Sequence, residues 1–134
     1  MYLFDTNMCI FIIKQKYKNV MDKLKKNRKK GFYLSSITLA ELEFGIENAD
    51  PAYNTKNRMA LMNFLVLFEV KYFDENAAKE FGKIKKELKD KKCLIGPLDM
   101  LIGAHAKSLN MILVTSNIEE FKRIDGLKIE DWIK

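Results

Sequence analysis

Met111-Ile112-Leu113-Val114-Thr115-Ser116-Asn117 is the stretch whose reading decides the fold. Its four consecutive large apolar residues are too few for a helix and leave no polar face. Such a run is a strand buried on both sides, as in parallel sheets covered by helices. Asn110 in front of it is an expected left-handed helix stop. Behind it, Ser116-Asn117-Ile118-Glu119 matches a capping box that opens a short helix, with Glu119 as the box's closing acid. Helix, buried strand and helix in succession are the signature of an α/β protein.

The same alternation recurs outward from this strand. Leu3-Phe4 reads as a short buried strand ending at Asp5, followed by a helix from Thr6 to Lys16 with Ile10, Ile13 and Tyr17 on its apolar stripe. A basic helix around Val20 to Lys29 is ended by Gly31. Phe32 to Ser35 reads as the second strand. Thr38-Leu39-Ala40-Glu41 matches another capping box, starting a helix that runs towards Asn48 and is broken by Asp50-Pro51. A helix over Thr55 to Leu67, a strand near Glu69 to Tyr72 and a helix from Asp74 to about Lys89 follow. Gly96-Pro97 then opens a helix from Leu98 to Leu109, and Leu127-Lys128-Ile129 reads as a last edge strand. The expected architecture is a single domain over residues 1–134: a three-layer α/β/α sandwich with a central, mainly parallel sheet.

Composition narrows the class. At 48% hydrophobic the chain has enough apolar residues for a packed core. No apolar run approaches the roughly 20 residues of a membrane span. The early Asp5, with no basic segment before the apolar stretch, argues against a secretory signal. Cys9 and Cys93 form no metal-ligand pattern and read as reduced packing residues of a cytoplasmic protein. The net charge of +6 favours a polyanionic partner such as nucleic acid. Between Lys14 and Lys30 nine cations meet one acid, Asp22, and phosphate steering and a solvated helix face are both open for this cluster. The second cluster, Lys79 to Lys92, is interleaved with Glu80, Glu87 and Asp90 and reads as a solvated face.

The chemistry-bearing residues are acids. Asp5, Glu41 and Asp99 all stand at the starts of expected helices, and in a parallel sheet the carboxyl ends of the strands form the functional crevice. Carboxylates brought together there repel unless a cation neutralises them, and Mg²⁺ or Mn²⁺ is the natural occupant of an oxygen-rich site. Glu120, after the strong strand, is a candidate fourth acid. Asn7, Thr115 and Asn117 are candidate supporting groups. Each residue also has a structural role open to it: Asp5 and Thr115 as caps, Glu41 as the last member of its capping box, Asp99 as a first-turn acid. His105 is the only histidine. It lies about two turns beyond Asp99 and reads as a helix-packing residue, so a histidine-based nucleophilic mechanism has little support. Tyr17, Tyr33 and Phe44 are candidates for base stacking, with core packing the expected role of Phe44.

Taken in order, Leu3-Phe4-Asp5-Thr6-Asn7, Ser35-Ser36-Ile37-Thr38-Leu39-Ala40-Glu41, Gly45, Ile95-Gly96-Pro97-Leu98-Asp99, Ile102-Gly103-Ala104-His105-Ala106, Val114-Thr115-Ser116-Asn117, Glu120-Phe121, Gly126-Leu127 and Glu130-Asp131-Trp132 span nearly the whole chain. This ordered set resembles the PIN-domain ribonuclease toxins of bacterial toxin–antitoxin pairs, the VapC family. The Glu-Asp-Trp tail is similar to the subgroup that cleaves initiator tRNA in the anticodon loop. The resemblance implies a PIN fold and a Mg²⁺-dependent endoribonuclease in which Asp5 and Asp99 hold the metal, Glu41 completes the acidic site and Glu120 partly replaces a later Asp. Many PIN nucleases carry that Asp where this chain has Ser116 or Asn117. The resemblance also implies a VapB-like antitoxin lying in an apolar groove around Ile10 to Tyr17 and Ala40 to Ile46, and a homodimer. Two alternatives stand beside it. A catalytically inactive PIN-like RNA- or partner-binding module would lack turnover. A metal-dependent phosphatase with an aspartyl nucleophile would want a second Asp where Asn7 stands.

Overall fold

In the computed structural model, which describes residues 1–134, five short strands form one sheet with every neighbouring pair parallel. They are β1 (Tyr2–Phe4), β2 (Phe32–Ser35), β3 (Glu69–Lys71), β4 (Ile112–Val114) and β5 (Ile129–Glu130), in the order β3-β2-β1-β4-β5. Seven helices connect them: α1 (Thr6–Ile13), α2 (Lys18–Lys26), α3 (Ser36–Asn48), α4 (Asn54–Leu65), α5 (Glu75–Asp90), α6 (Pro97–Ser108) and α7 (Ile118–Phe121).

Strand alternation divides the core into two. Tyr2, Phe4, Phe32, Leu34 and Val114 face one side, where Met8, Cys9, Val20, Leu24, Leu42, Leu61 and Phe64 of α1–α4 cover them. Leu3 and Leu113 face the other, against Ile84 and Leu88 of α5 and Ile102, Ala104 and Ala106 of α6. The result is the expected α/β/α sandwich. It also fixes where chemistry can occur. The chain leaves β1 for β2 and β3 on one side and returns to β4 and β5 on the other, so the order reverses at β1. The crevice of a parallel sheet opens at such a reversal, beyond the carboxyl ends of the strands. Asp5 is the first residue past β1.

Several local expectations are revised. α1 ends at Ile13 rather than Lys16, because Gln15 takes a left-handed conformation (φ 51°) that an α-helix cannot continue. Its buried residues are Met8, Cys9 and Ile12, and Ile10, Ile13 and Tyr17 are only partly covered. The α3 capping box at Thr38–Glu41 does not form. The helix starts two residues earlier, where the Ser35 Oγ accepts from the Ile37 backbone amide at 3.0 Å. The α7 box is also absent: Asn117 occupies the cap position without a side-chain cap bond, and Glu119 is exposed and paired with Lys122 at 2.9 Å. Phe44, expected in the core, is 67% exposed. Both cysteines are unpaired, with Cys9 buried. Asn110 does stop α6 in the left-handed region (φ 54°), as read from sequence.

Candidate active site

The acids do meet. Asp5 caps α1, its Oδ1 accepting from the Met8 backbone amide at 2.9 Å, and its Oδ2 accepts from the Thr115 hydroxyl at the end of β4. Capping and a place in the site are therefore one geometry: the N-cap position holds the carboxylate at the carboxyl end of the central strand. Thr115 Oγ1 in turn accepts from the Asn117 backbone amide at 2.9 Å, which folds the chain back over the sheet edge. From there the Asn117 side-chain amide donates to Glu120 Oε2 at 3.1 Å and reaches Asp99 Oδ2 at 3.4 Å. Glu41 enters from α3, its Oε1 accepting from the Thr6 hydroxyl at 2.6 Å, and that hydroxyl lies 3.1 Å from Thr38 Oγ1.

The electrostatics match this geometry. Burial pushes the Asp5 carboxyl up to about 6, against the opposing pull of its bonds from Thr115 and Met8, and Glu41 and Asp131 add repulsion. Asp99 is also pushed up to about 6, first by burial and then by the charges of Asp5 and Glu120. Acids from four separated segments thus act on one another. They do not close by themselves into a cage of three metal-holding side chains. A groove of about 460 Å³ runs between α1, α3 and α4, lined by Ile10, Ile13, Leu42, Gly45, Ile46 and Leu61, with Glu41 on its wall. It lies where the apolar groove was expected, with α4 as an added wall.

The PIN domain family model matches residues 2–127, nearly the whole of this constellation. The chain belongs to the PIN-domain family, in its VapC group. It is 38% identical over 131 residues to the tRNA(fMet)-specific endonuclease VapC of Salmonella typhimurium, covering 98% of this chain and 97% of that one. It is 36% identical to ribonuclease VapC2 of Haemophilus influenzae, with 98% of each chain covered. Its fold is similar to that of VapBC2 from Rickettsia felis, solved bound to a promoter DNA fragment, with a TM-score of 0.91, 35% identity and 98% of each chain covered.

Within this VapC-family site the structure gathers Asp5, Glu41, Asp99, Glu120, Thr115 and Asn117. It does not gather Asn7, which is exposed and makes no side-chain hydrogen bond to the acids. The hydroxyl of the neighbouring Thr6 does that work for Glu41. Thr115 is neither a helix cap nor free to receive a phosphate, because its hydroxyl is committed to Asp5. Sequence reasoning also missed Asp131, whose charge acts on Asp5. Its only sequence signal was its place in the Glu130-Asp131-Trp132 tail.

The basic cluster is split by the fold. The Arg28–Lys30 turn precedes β2, and the Gly31 carbonyl accepts from the Tyr2 amide, so this turn lies at the amino ends of the strands, opposite the acids. At the other end of α2, Asn19 donates to the Ile133 carbonyl at 3.0 Å, close to the tail that carries Asp131.

The Thr115–Asp5 bond gives a direct test. Thr115→Val keeps the shape but leaves a buried carboxylate oxygen without its donor. The expected cost is about 1–3 kcal/mol at pH 7. The cost should shrink below pH 5, where Asp5 carries a proton and needs less stabilisation of its charge. Urea unfolding at pH 7 and pH 4.5 measures both.

Proposed function

We propose that this VapC-family chain is a Mg²⁺-dependent endoribonuclease toxin that hydrolyses RNA, with the anticodon loop of initiator tRNA as its target, and that a VapB-like antitoxin restrains it in the cytoplasm. The observation that carries this reading is the convergence of Asp5, Glu41, Asp99 and Glu120 at the carboxyl edge of the sheet. The donor set suits a hard divalent cation: every side chain in it offers oxygen, and burial followed by the charges of neighbouring acids raises the Asp5 and Asp99 carboxyls, a cost that a bound cation would offset. Asp5 and Asp99 would hold Mg²⁺, or Mn²⁺ in its place. When bound, such an ion supplies positive charge to a phosphodiester and acidifies water.

The chain's own groups account for the remaining work. Thr115 and the Met8 amide fix Asp5, and Asn117 spans Asp99 and Glu120. Glu41 and Glu120 each spend one oxygen on a protein donor and keep the other free of one. That leaves an acceptor to orient an attacking water and take its proton, with Glu41 and Glu120 the two candidates for the base. In-line attack then breaks the P–O3′ bond and leaves a 5′-phosphate. The groove along α1, α3 and α4 suits the antitoxin's apolar C-terminal segment, because it leads to Glu41 and a basic side chain carried along it would reach the acids. The tRNA target and the antitoxin rest on similarity to the tRNA(fMet)-specific endonuclease and to the VapBC complexes. A homodimer belongs to the same proposal, and sedimentation with and without antitoxin tests it.

The deciding experiment incubates purified, antitoxin-free protein with total bacterial tRNA and Mg²⁺, beside an EDTA control, and maps the cleaved ends. Discrete cuts in initiator tRNA that vanish with EDTA are expected. Cuts in another RNA would remove the target and keep the chemistry, and no cut in any RNA would favour an inactive binding module.

None of the cations from Lys14 to Lys30 makes an ion pair, whereas Lys79, Lys86 and Lys91 of the second cluster are paired with Glu75, Asp90 and Glu87. The unpaired set is the one suited to phosphates. Reversing Lys14 and Lys18 to Glu, one beside the Glu41 groove and the other next to Asn19 at the Asp131 tail, is expected to raise KM for tRNA about 10-fold at moderate salt and to flatten its salt dependence, with kcat little changed, whereas reversing Arg28–Lys30 on the opposite side should do much less.

A further inference from the structure

His105 was read from sequence as a packing residue, and it is 99% buried, with its ring edge-on to Phe73 at 5.4 Å. Packing does not account for its polar contacts. Its Nδ1 lies 2.7 Å from the Oγ of Ser35, which is itself fully buried. Ser35 Oγ already accepts from the Ile37 amide as the cap of α3, so its proton points to His105 Nδ1. The imidazole is therefore neutral at Nδ1 and carries its hydrogen on Nε2, which faces the Tyr72 backbone. Burial favours that neutral ring. No buried side-chain polar atom is left without a partner.

The placement of this ring matters. α6 carries Asp99 in its first turn, and α3 carries Glu41. His105–Ser35 is the one side-chain hydrogen bond that joins α6 to the start of α3. From its other nitrogen the ring reaches the chain just past β3, where the Phe73 amide donates to Ser36 Oγ at 3.0 Å and ties the same α3 start a second time. Further along α3 the polar ties run to other helices, from Glu41 to the Thr6 hydroxyl of α1 and from Glu43 and Glu47 to Arg58 of α4, and none of them reaches α6. His105–Ser35 is therefore the polar contact that sets the start of α3, the helix of Glu41, against the helix that carries Asp99.

We propose that His105 is a positioning residue that fixes the spacing of Glu41 and Asp99 by locking the Ser35 cap of α3 to α6. The proposal rests on the nuclease reading for its kinetic consequence but not for its geometric one. A displacement of a reacting group by about 1 Å can cost about 100-fold in rate, so a lost lock should appear in kcat.

Two near-isosteric substitutions separate the two arms of the ring. His105→Asn keeps an acceptor near the Nδ1 position, facing Ser35, and gives up the Tyr72 contact. His105→Gln keeps a donor near Nε2, facing Tyr72, and gives up Ser35. Both are expected to lose similar thermal stability, measured by unfolding. His105→Gln should lose about 10- to 100-fold in kcat on tRNA with KM within about 2-fold. His105→Asn should stay within about 3-fold of the parent protein in kcat. Crystal structures of the two variants should show the Glu41–Asp99 carboxylate spacing changed in the Gln variant and kept in the Asn variant. Equal kcat losses in both variants, or unchanged spacing in a folded Gln variant, would overturn the proposal and leave His105 as core packing. If the parent protein cleaves no RNA the nuclease reading fails, and the spacing in the variant structures still decides the positioning role.

Discussion

Asp5→Asn is expected to lower RNA cleavage by about 10³-fold or more and, in the same protein, to raise the stability of the cation-free fold at pH 7. The first effect follows from the place of the carboxylate. It is the innermost acid of the site, 4% exposed at the end of the central strand, and an amide cannot supply its charge to a cation. The second follows from its titration. The folded protein holds the Asp5 proton up to about pH 6, whereas the unfolded chain releases it near 3.8. Between those values the folded state binds more protons than the unfolded one, so stability falls as pH rises through this window and stays low above it.

The full shift corresponds to about 3 kcal/mol, and relaxation of the site leaves an expected gain of about 1–3 kcal/mol for Asp5→Asn at pH 7. At pH 4 the gain should nearly vanish, because the parent carboxyl is then protonated. Asparagine can still accept from the Met8 amide, so the α1 cap survives. Urea unfolding with EDTA at pH 4 and pH 7 measures the effect. Adding Mg²⁺ at pH 7 should stabilise the parent protein and leave Asp5→Asn unmoved. An asparagine variant that is less stable than the parent at pH 7 without cation would show that burial and the neighbouring acids do not disfavour the charged Asp5 carboxylate.

Trp132→Ala is expected to cost about 3–5 kcal/mol, the largest stability loss from any single substitution considered for this chain. Trp132 is the largest fully buried side chain. Its ring packs edge-on against Tyr2 at 5.0 Å and Phe4 at 5.1 Å, and its indole N–H donates to Glu130 Oε1 at 2.9 Å. It therefore seals the end of the α1–α4 core and pins the tail after β5 to the central strand. The PIN family match ends at residue 127, so this anchor lies outside the matched segment. For a domain of this size the loss corresponds to a fall of about 10–20 °C in Tm. Because Asp131 precedes the anchor and acts on Asp5, the variant should also lose activity at temperatures where it remains folded. A loss below about 1 kcal/mol would show that the tail is a surface appendage.

How legible the site was differs from residue to residue. Asp5 and Asp99 were legible because local chemistry marks them: one follows a buried strand, the other a Gly-Pro break, and both positions favour an acid for reasons internal to the helix. Glu41 carries a misleading local signal, since the capping-box pattern at Thr38–Glu41 competes with Ser35, and that serine, the last residue of β2, caps the helix first. Local pattern does not choose between Thr6 and Asn7, because successive helical residues point about 100° apart, and only tertiary packing says which of them faces α3. Glu119 and Glu120 pose the same ambiguity at α7. The exposed Phe44 is the opposite failure: an aromatic residue carries no local signal of whether a neighbouring element will cover it.

The sequence by itself determined the alternation of buried strands and helices, the parallel sheet and the positions of its acids. These follow from hydrophobic period, breakers and caps, which act over a few residues. Tertiary structure alone decided that β1 lies at the reversal of strand order, that Thr115 and Asn117 wire Asp5 to Asp99 and Glu120, and that His105 reaches Ser35 across 70 residues. Those are long-range hydrogen bonds and charge contacts. Their partners are distant in the chain, so no local pattern encodes which donor will meet which acceptor until the sheet has brought them to one edge.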